Sequence, residues 1–257
     1  MTVIVDASAG SDGWIWRCAK SSCRKKKSIR TGSFFSGIHL TIPQALKLIY
    51  WWCMGCREEF VGHQVGISLQ TVVDYYSFCR EICMESLLNA NEMLGGPGKT
   101  IEIDEMKLGK RKYHRGRRIE GQWIFGMVER EAVNFKCVLV AVPDRSEATL
   151  RPIIESRVYP GTTIISDCWS SYSFLSNSPI FQHMTVNHSV CFRDPNTGAH
   201  TNTVEGFWNY LRRSLPKYGT TKKMYDGYMA EIIFRKKWGR NDIFMKFLAE
   251  ISAVHYT

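Results

Sequence analysis

Three acidic residues that lie far apart in the sequence, Asp104, Asp167 and Glu205, have the types and positions needed for metal-dependent chemistry. Asp104 lies on a strand predicted over 100–104, and Asp167 directly follows a β-branched strand predicted over 162–166. Carboxylates are the ligands with which proteins hold Mg²⁺ or Mn²⁺ beside a substrate phosphate. Two such ions can activate an attacking oxygen and stabilise the leaving oxygen in phosphoryl transfer. If the fold brings these acids together, they predict a site of that kind with two ions.

Each of these acids also has a purely structural interpretation. Asn202 precedes Glu205 by three residues, which is the spacing of a helix capping box, and a carboxylate in the first turn interacts favourably with the helix dipole. Asp167 is placed to cap a short helix predicted after it, and Asp104 lies among other acidic residues at a strand end. The catalytic interpretation therefore depends on the convergence of the three acids.

The helix that carries Glu205 is predicted from an amphipathic pattern. Apolar residues recur along one face at Val204, Phe207, Trp208, Leu211 and Leu215. Glu205, Asn209 and Arg212 fall together on another side, three and four residues apart. We predict that this polar side, extended by Arg213 and Lys217, contacts phosphates of a nucleic acid.

The charge of the chain favours a polyanionic partner. The 257 residues carry a formal net charge of +10, and the isoelectric point is about 9.2. Basic residues cluster in 24–27, 107–118, 212–217, 222–223 and 235–237. A single charge run is usually a solvated surface, but several runs on a basic chain indicate nucleic acid rather than a membrane as the partner.

The cysteines and the N-terminal stretch indicate where in the cell the protein is expected. Nine cysteines, an odd number scattered through apolar patterns, indicate reduced thiols inside a cell. The sequence begins without the basic and apolar regions of a secretion signal, and no segment is apolar enough to span a bilayer. We expect the protein in the nucleus if its source is eukaryotic, or in the cytoplasm if it is bacterial, and not among secreted proteins.

Residues 1–40 are predicted to be a disordered start followed by the remnant of a zinc-ribbon-like segment. Cys18 and Cys23 resemble one half of such a ribbon. Cys53 and Cys56 lie in an apolar, helix-like segment, which is a poor place for a zinc ligand pair. Because a structural zinc takes four ligands, we expect no structural zinc here, and ordinary thiols are the simpler interpretation.

Residues 41–95 are predicted to form a helical DNA-binding region. Helices are predicted over 43–54, 57–64 and 69–89. The second and third are joined by a turn from Gly66 to Ser68, a pattern typical of a helix-turn-helix. The alternative is a small helical bundle that only packs against the main domain.

A glycine-rich linker precedes a predicted domain over residues 99–257. Its closing helices are predicted over 224–238 and 242–254. The element order β-β-β-α-β-α-β-α predicts an α/β fold, with a mixed sheet and helices on both faces. In a sheet of this order the first and fourth strands can lie side by side, which would bring Asp104 next to Asp167. The helix with Glu205 would pack across that edge.

Five motifs in this domain occur in the order found in a known family. They are Ile-Glu-Ile-Asp-Glu at 101–105, Val-Pro-Asp-Arg-Ser and Thr-Leu-Arg-Pro-Ile-Ile within 142–154, Ser-Asp-Cys-Trp at 166–169, Val-Asn-His-Ser at 186–189 and Gly-Ala-His-Thr-Asn-Thr-Val-Glu-Gly-Phe-Trp at 198–208. On these motifs, residues 99–238 resemble the transposases of the Merlin superfamily and their bacterial insertion-sequence relatives.

The resemblance implies a ribonuclease-H-like fold and cut-and-paste DNA transposition by a DDE triad. It makes Asp104, Asp167 and Glu205 the catalytic metal ligands. His200 and Asn202 match motif positions and are expected beside those ligands or in contact with DNA. The implied function is a DNA transposase that cleaves and transfers strands, acts on transposon ends and target DNA, and assembles on DNA as a homo-oligomer.

Two other hypotheses remain open at this stage. The first is a domesticated or decayed transposase that binds DNA without cutting it, and it predicts salt-sensitive binding without metal-dependent cleavage. The second is a structurally related nuclease that acts on another nucleic acid. The relative position of the three carboxylates is the observation that bears most directly on the choice.

Overall fold

The computed structural model describes residues 1–6, 9, 12–109, 121–187, 190, 193–195, 197–216 and 220–255. The chain divides into two compact units. The first contains Met1–Leu88 and Trp238–Thr257, and the second contains Asn89–Lys237. The division after Leu88 lies a little before the boundary predicted at residues 95–99.

The first unit begins with a three-stranded antiparallel sheet. Its strands are β1 (Thr2–Val5), β2 (Trp14–Arg17) and β3 (Lys26–Ser28). The prediction of a disordered start is wrong for β1, because aromatic and β-branched side chains pair across the sheet, as Val3 does opposite Trp16. The buried Arg30 donates hydrogen bonds to both carboxylate oxygens of Asp12, which connects the segment after β3 to the connection between β1 and β2.

Three helices follow in the first unit: α1 (Ile42–Cys53), α2 (Glu58–Val65) and α3 (Leu69–Ala90). A capping box starts α1, in which the Gln44 amide donates to Thr41 Oγ1 and the Gln44 side-chain oxygen accepts from the Thr41 amide. Gly66 has a φ of 73° and ends α2 in the left-handed region. Ser68 Oγ accepts from the Thr71 amide and caps α3. The predicted helices and the turn between α2 and α3 are thus present.

The second unit is an α/β domain. Its elements are β4 (Leu94–Gly95), β5 (Thr100–Leu108), β6 (Gln122–Glu129), β7 (Cys137–Val142), α4 (Glu147–Arg157), β8 (Val158–Tyr159), β9 (Thr163–Asp167), a 3-10 segment (Ser170–Asn177), β10 (Gln182–Val186), α5 (Asn202–Ser214), a second 3-10 segment (Lys222–Met224) and the beginning of α6 (Tyr225–His255). The five longer strands form one mixed sheet in the order β10-β9-β5-β6-β7. β5, β6 and β7 are an antiparallel meander, and β9 and β10 are parallel to β5. The predicted α/β, ribonuclease-H-like fold class is confirmed.

Helices cover both faces of this sheet. On one face, Ile101 and Ile103 of β5 pack in a buried cluster with Leu150 of α4 and with Tyr172 of the first 3-10 segment. On the opposite face lies α5, which buries Val204, Phe207, Trp208 and Leu211. Because side chains alternate along a strand, neighbouring residues of β5 point to opposite faces of the sheet.

The strand that carries Asp104 is longer than predicted. β5 stays paired with β6 as far as Leu108 opposite Gln122, so the first residue of the basic cluster 107–118, Lys107, lies within the strand. Residues 110–120, which hold most of that cluster, are outside the described residues. Asp104 therefore lies in the middle of the pairing with β6, which fixes the position of its backbone.

The chain closes with α6, which is broken at Gly239. This residue has φ of 61° and ψ of 178°, a conformation that glycine alone adopts at little cost, and the break agrees with the two closing helices predicted. The part after the break belongs to the first unit, where Phe247 packs on Trp52 with ring centroids 4.7 Å apart. The domain over 99–257 stays a prediction, and its last part is grouped with the first unit because an amphipathic pattern does not specify which surface a helix packs against.

Within the described part of the chain, none of the helices has both the length and the apolarity that crossing a membrane requires.

Candidate active site

Asp104 and Asp167 lie on neighbouring parallel strands. β5 and β9 pair in a register that sets Glu102 opposite Ile165. The same register, continued by two residues on each strand, places Asp104 level with Asp167 at the end of β9. The two acids thus lie on adjacent strands, each two residues beyond the last backbone pair, and the effect of the Asp167 charge on the pKa of Asp104 agrees with their proximity.

A tryptophan of α5 holds Asp104. The indole Nε1 of Trp208 donates a hydrogen bond of 2.8 Å to Asp104 Oδ2. The indole can lie this close to the sheet because Gly126 stands opposite Asp104 on β6 and has no side chain. A Cβ atom at Gly126 would lie 2.3 Å from the Trp208 ring, which is well inside the distance at which two carbon atoms can touch. Gly126 therefore allows the close distance between α5 and the strand that carries Asp104.

The electrostatic environment of Asp104 includes both of the other predicted acids. Burial raises the pKa of Asp104 to about 6, with further increases from the negative charges of Asp167 and Glu205, and the hydrogen bond from Trp208 opposes this rise. Three carboxylates that repel one another in a partly buried site are a donor set that a divalent cation would stabilise. The residues present therefore fit a metal ion in their chemistry.

The three carboxylates are nevertheless not close enough to one another to coordinate one metal ion in their present rotamers. Among the described residues, no group of three or more His, Cys, Asp or Glu side chains lies close enough to hold a metal ion. Each predicted ligand accepts an internal hydrogen bond: Asp104 from Trp208 Nε1 (2.8 Å), Asp167 Oδ1 from the Trp169 amide (3.0 Å) and Glu205 Oε1 from Thr201 Oγ1 (2.9 Å). Coordination by all three would require rotation of some of these side chains away from their present partners.

The start of α5 differs from the capping prediction. Its N-cap is Thr201, so Asn202 is the first helical residue, and the prediction that Asn202 is the N-cap is wrong. The Asn202 amide lies 3.4 Å from His200 Nδ1. A capping box between Asn202 and Glu205 therefore does not describe this helix, because both residues lie within it.

A residue from another strand caps the helix instead. Glu102 of β5 is fully buried, and its carboxylate accepts hydrogen bonds from the backbone amides of Thr203 (2.7 Å) and Val204 (2.9 Å). Arg130 Nε donates to the same carboxylate at 2.5 Å, and Arg130 Nη2 donates to the His200 carbonyl at 2.5 Å. A carboxylate on helix N-terminal amides is stabilised by those bonds and by the helix dipole. No prediction from the sequence pointed to Glu102.

We call Glu102, Arg130 and His200 the α5 anchor. His200 Nδ1 lies 2.9 Å from Arg130 Nη2, and burial and the Arg130 charge lower the pKa of His200, while the Glu102 charge raises it. Glu102 and Asp104 are two residues apart on one strand and therefore face the same side of the sheet. The anchor consequently holds the beginning of α5, with Glu205, beside the strand that carries Asp104.

The remaining predicted contact residues lie along α5 or beyond it. Four of them are exposed on α5, namely Asn202, Asn209, Arg212 and Arg213. By helical periodicity they share the side of the helix on which Glu205 lies. Lys217 is outside the described residues. The predicted polar and basic side of α5 is therefore present, and its contact with DNA stays a prediction.

A further acid, Glu105, lies close to the site from the other face of the sheet. The Tyr172 hydroxyl donates a hydrogen bond to Glu105. Burial raises the pKa of Glu105 to about 7, with additional increases from Asp104 and Asp167, against the lowering effects of Tyr172 and Arg145. A fourth acidic side chain therefore interacts electrostatically with the two aspartates at this edge of the sheet.

Comparison with known proteins agrees with this description. The fold and the acidic strand edge define a ribonuclease-H-like α/β protein. The model of the ISXO2-like transposase domain matches residues 93–237, more than half of the chain, and the chain belongs to this family. The resemblance to bacterial insertion-sequence transposases is thereby confirmed.

Two individual proteins illustrate the similarity. The chain is 35% identical over 101 residues, 39% of its length and 80% of the relative's, to an "Uncharacterized transposase-like protein" of Haemophilus influenzae (strain ATCC 51907 / DSM 11121 / KW20 / Rd). A solved structure, the cryoEM structure of the simian T-cell lymphotropic virus intasome in complex with PP2A regulatory subunit B56 gamma, is similar with a TM-score of 0.34 and 12% identity, over 74% of this chain and 67% of that one. At this TM-score the similarity supports no inference about function.

Proposed function

We propose that the protein is a DNA transposase that cleaves DNA strands and joins the freed ends to target DNA in a metal-dependent reaction. The observation that carries the proposal is the pairing of β5 with β9, because Asp104 and Asp167 each lie two residues beyond the last pair, Glu102 with Ile165. The charges of Asp167 and Glu205 both act on Asp104, as expected for acids of one site. Membership of a transposase family supports the same activity.

In this proposal Asp104, Asp167 and Glu205 hold Mg²⁺ or Mn²⁺, two ions in the complete site. When bound, the ions supply the polarisation of the phosphodiester and of the attacking oxygen. Trp208 keeps Asp104 in place through its indole hydrogen bond, and the α5 anchor keeps the start of the helix beside that strand. The protein groups thus position the carboxylates before substrate arrives.

The exposed side of α5 is the proposed contact with the DNA backbone near the site. Arg212 and Arg213 are exposed in the last turn of α5, on the side of the helix that Glu205 shares. Guanidinium groups bind phosphates in a bidentate manner and hold the duplex without reading its sequence. The helices α2 and α3, joined by the turn at Gly66, are the proposed second DNA contact. Assembly of several copies on DNA is part of the same proposal.

The experiment is a strand-cleavage assay with Glu205→Gln. Purified protein is incubated with Mg²⁺ or Mn²⁺ and duplex DNA that carries the borders of the element from which the gene comes, and nicked and joined products are measured. We expect Glu205→Gln to abolish cleavage and to change DNA affinity by less than about twofold, because the lost group acts on the reacting phosphate and not on backbone binding. Glu147→Gln, an exposed acid at the start of α4, is the matched control and should cleave normally. Normal cleavage by Glu205→Gln would exclude Glu205 as a ligand.

The second candidate function is DNA binding without cleavage. It is favoured by the hydrogen bonds that occupy the predicted ligands and by the lack of a closed three-residue ligand set among the described residues. It predicts salt-dependent DNA binding in the wild type with no product under any divalent ion. The cleavage assay above therefore distinguishes the two functions.

A further inference from the structure

Two tryptophans and an arginine form a stack beside the candidate site. The Arg145 guanidinium carbon lies 4.2 Å from the ring centroid of Trp123 and 4.3 Å from that of Trp169. Trp169 Nε1 donates to the Arg145 carbonyl at 3.4 Å, which fixes the indole relative to the loop before α4. Lys107 Nζ lies 5.1 Å from the Trp123 ring. We call Trp123, Arg145 and Trp169 the indole stack.

The indole stack is next to the acidic edge of the sheet. Trp169 follows Asp167 by two residues, and its amide donates to Asp167 Oδ1 at 3.0 Å. Lys107, on the strand that also carries Asp104, is opposite Trp123 of β6, and alternation along the strand places this pair on the other face of the sheet from Asp104. Arg145 acts electrostatically on Glu105, which places the guanidinium near the same edge. Trp169 therefore joins the stack to Asp167, and a ligand held at Asp167 would lie within reach of its indole.

The stack has the composition of a nucleotide-binding surface. Trp169 leaves 41% of its surface exposed, in contrast to the buried Trp208 on the other face of the sheet. An exposed indole flanked by a cation, as Trp169 is by Arg145, is an arrangement on which unpaired bases stack, since every base has a π-face and the adjacent guanidinium attracts the backbone. A paired base inside a duplex does not present its face in this way. The surface thus fits an unpaired nucleotide better than an intact duplex.

We propose that the indole stack binds an unpaired DNA base adjacent to the phosphate held at Asp104 and Asp167, with Trp169 as the stacking platform. Arg145 and Lys107 contact the backbone of that nucleotide. This inference rests on the proposed function for the identity of the polymer, and it adds that the substrate is opened locally at the site. The protein then distinguishes DNA with unpaired nucleotides from blunt duplex DNA.

The test is a comparison of binding to two DNA probes in EDTA, where no cleavage occurs. The probes are a blunt duplex and the same duplex with a short single-stranded extension that contains 2-aminopurine, whose fluorescence reports stacking. We expect Trp169→Ala to weaken binding of the extended probe by about 5- to 150-fold, with loss of the 2-aminopurine quench, and to leave blunt-duplex binding within about twofold. Trp169→Phe should retain most of the preference, because a phenyl ring still stacks.

The control is Tyr159→Ala, which removes an aromatic side chain of similar exposure, 49%, from the same unit and should change neither affinity. Equal weakening of both probes by Trp169→Ala, or no weakening of either, would overturn the inference. The outcome is separable from the proposed function: a wild type that cleaves DNA without preferring the extended probe refutes the indole stack only. A wild type that prefers the extended probe but never cleaves supports the stack and refutes the catalytic proposal.

Discussion

Removal of the Glu102 carboxylate is the perturbation that most directly tests how the site is built. Glu102 has no access to solvent, and it accepts from the Thr203 and Val204 amides, the Thr203 hydroxyl and Arg130 Nε. Glu102→Ala would leave the first amides of α5 without this acceptor and would remove the carboxylate partner of Arg130. The substitution therefore affects the fold at the point where α5 meets the strand with Asp104.

The expected loss of folding stability follows from the burial of Glu102 and of the groups that donate to it. An unsatisfied buried amide costs about 1–3 kcal/mol, and breaking a buried ion pair costs about 3–5 kcal/mol. The contributions overlap, and the Arg130 side chain keeps 20% exposure, so water recovers part of the loss. We expect Glu102→Ala to lower the free energy of unfolding by about 3–5 kcal/mol. Glu102→Gln keeps the shape and one acceptor oxygen, and we expect a loss of about 2 kcal/mol.

The assay is urea unfolding followed by circular dichroism, with Glu155→Ala as the control. Glu155 forms an exposed ion pair with Arg151 on α4, so its removal should change stability by less than about 0.5 kcal/mol. The order of stability should be the control, then Glu102→Gln, then Glu102→Ala. If Glu102→Ala were as stable as the control, the helix cap would not be what holds α5 to the sheet, and the reasoning would fail.

Three further predictions test the site. Gly126→Ala should destabilise the second unit by about 1–3 kcal/mol in urea unfolding, because the new methyl group overlaps the α5 indole, whereas Gly206→Ala, with open space at its Cβ position, should be neutral or stabilising. A neutral Gly126→Ala would show that the helix shifts freely. The pKa of Asp104 is about 6 in the folded protein and 3.8 in the unfolded chain. Between these two pH values the folded protein keeps a proton that the unfolded chain releases, so the free energy of unfolding falls as the pH rises from 3.8 to about 6. In EDTA, the free energy of unfolding of Asp104→Asn relative to that of the wild type should therefore increase by about 2–3 kcal/mol between about pH 3.5 and pH 8. A difference between the two proteins that does not change with pH would contradict the raised pKa of Asp104. Replacement of both Arg212 and Arg213 by Ala should weaken DNA binding on all sequences and reduce the slope of log affinity against log salt by about 2, while an unchanged slope would show that they do not contact phosphates.

The element pattern of the second unit was predictable because it depends on local properties. Alternating apolar residues and β-branched runs identified the strands, and the spacing of Val204, Phe207 and Leu211 identified α5. The order of strands and helices then limited the sheet to a few topologies, and the strands that carry Asp104 and Asp167 are neighbours, as expected. The family resemblance rested on the same residues.

The sequence by itself determined the fold class and the three acidic candidates, since periodicity and residue type are local. Only the tertiary structure decided how those acids are held. Glu102 looked like one more acid in a strand, yet it caps a helix far along the chain, and Gly126 looked unremarkable until Trp208 was packed against it. Long-range partners decide which carboxylate becomes a helix cap, because a buried carboxylate is stable only where donors converge on it, and donors from separate elements meet only after folding.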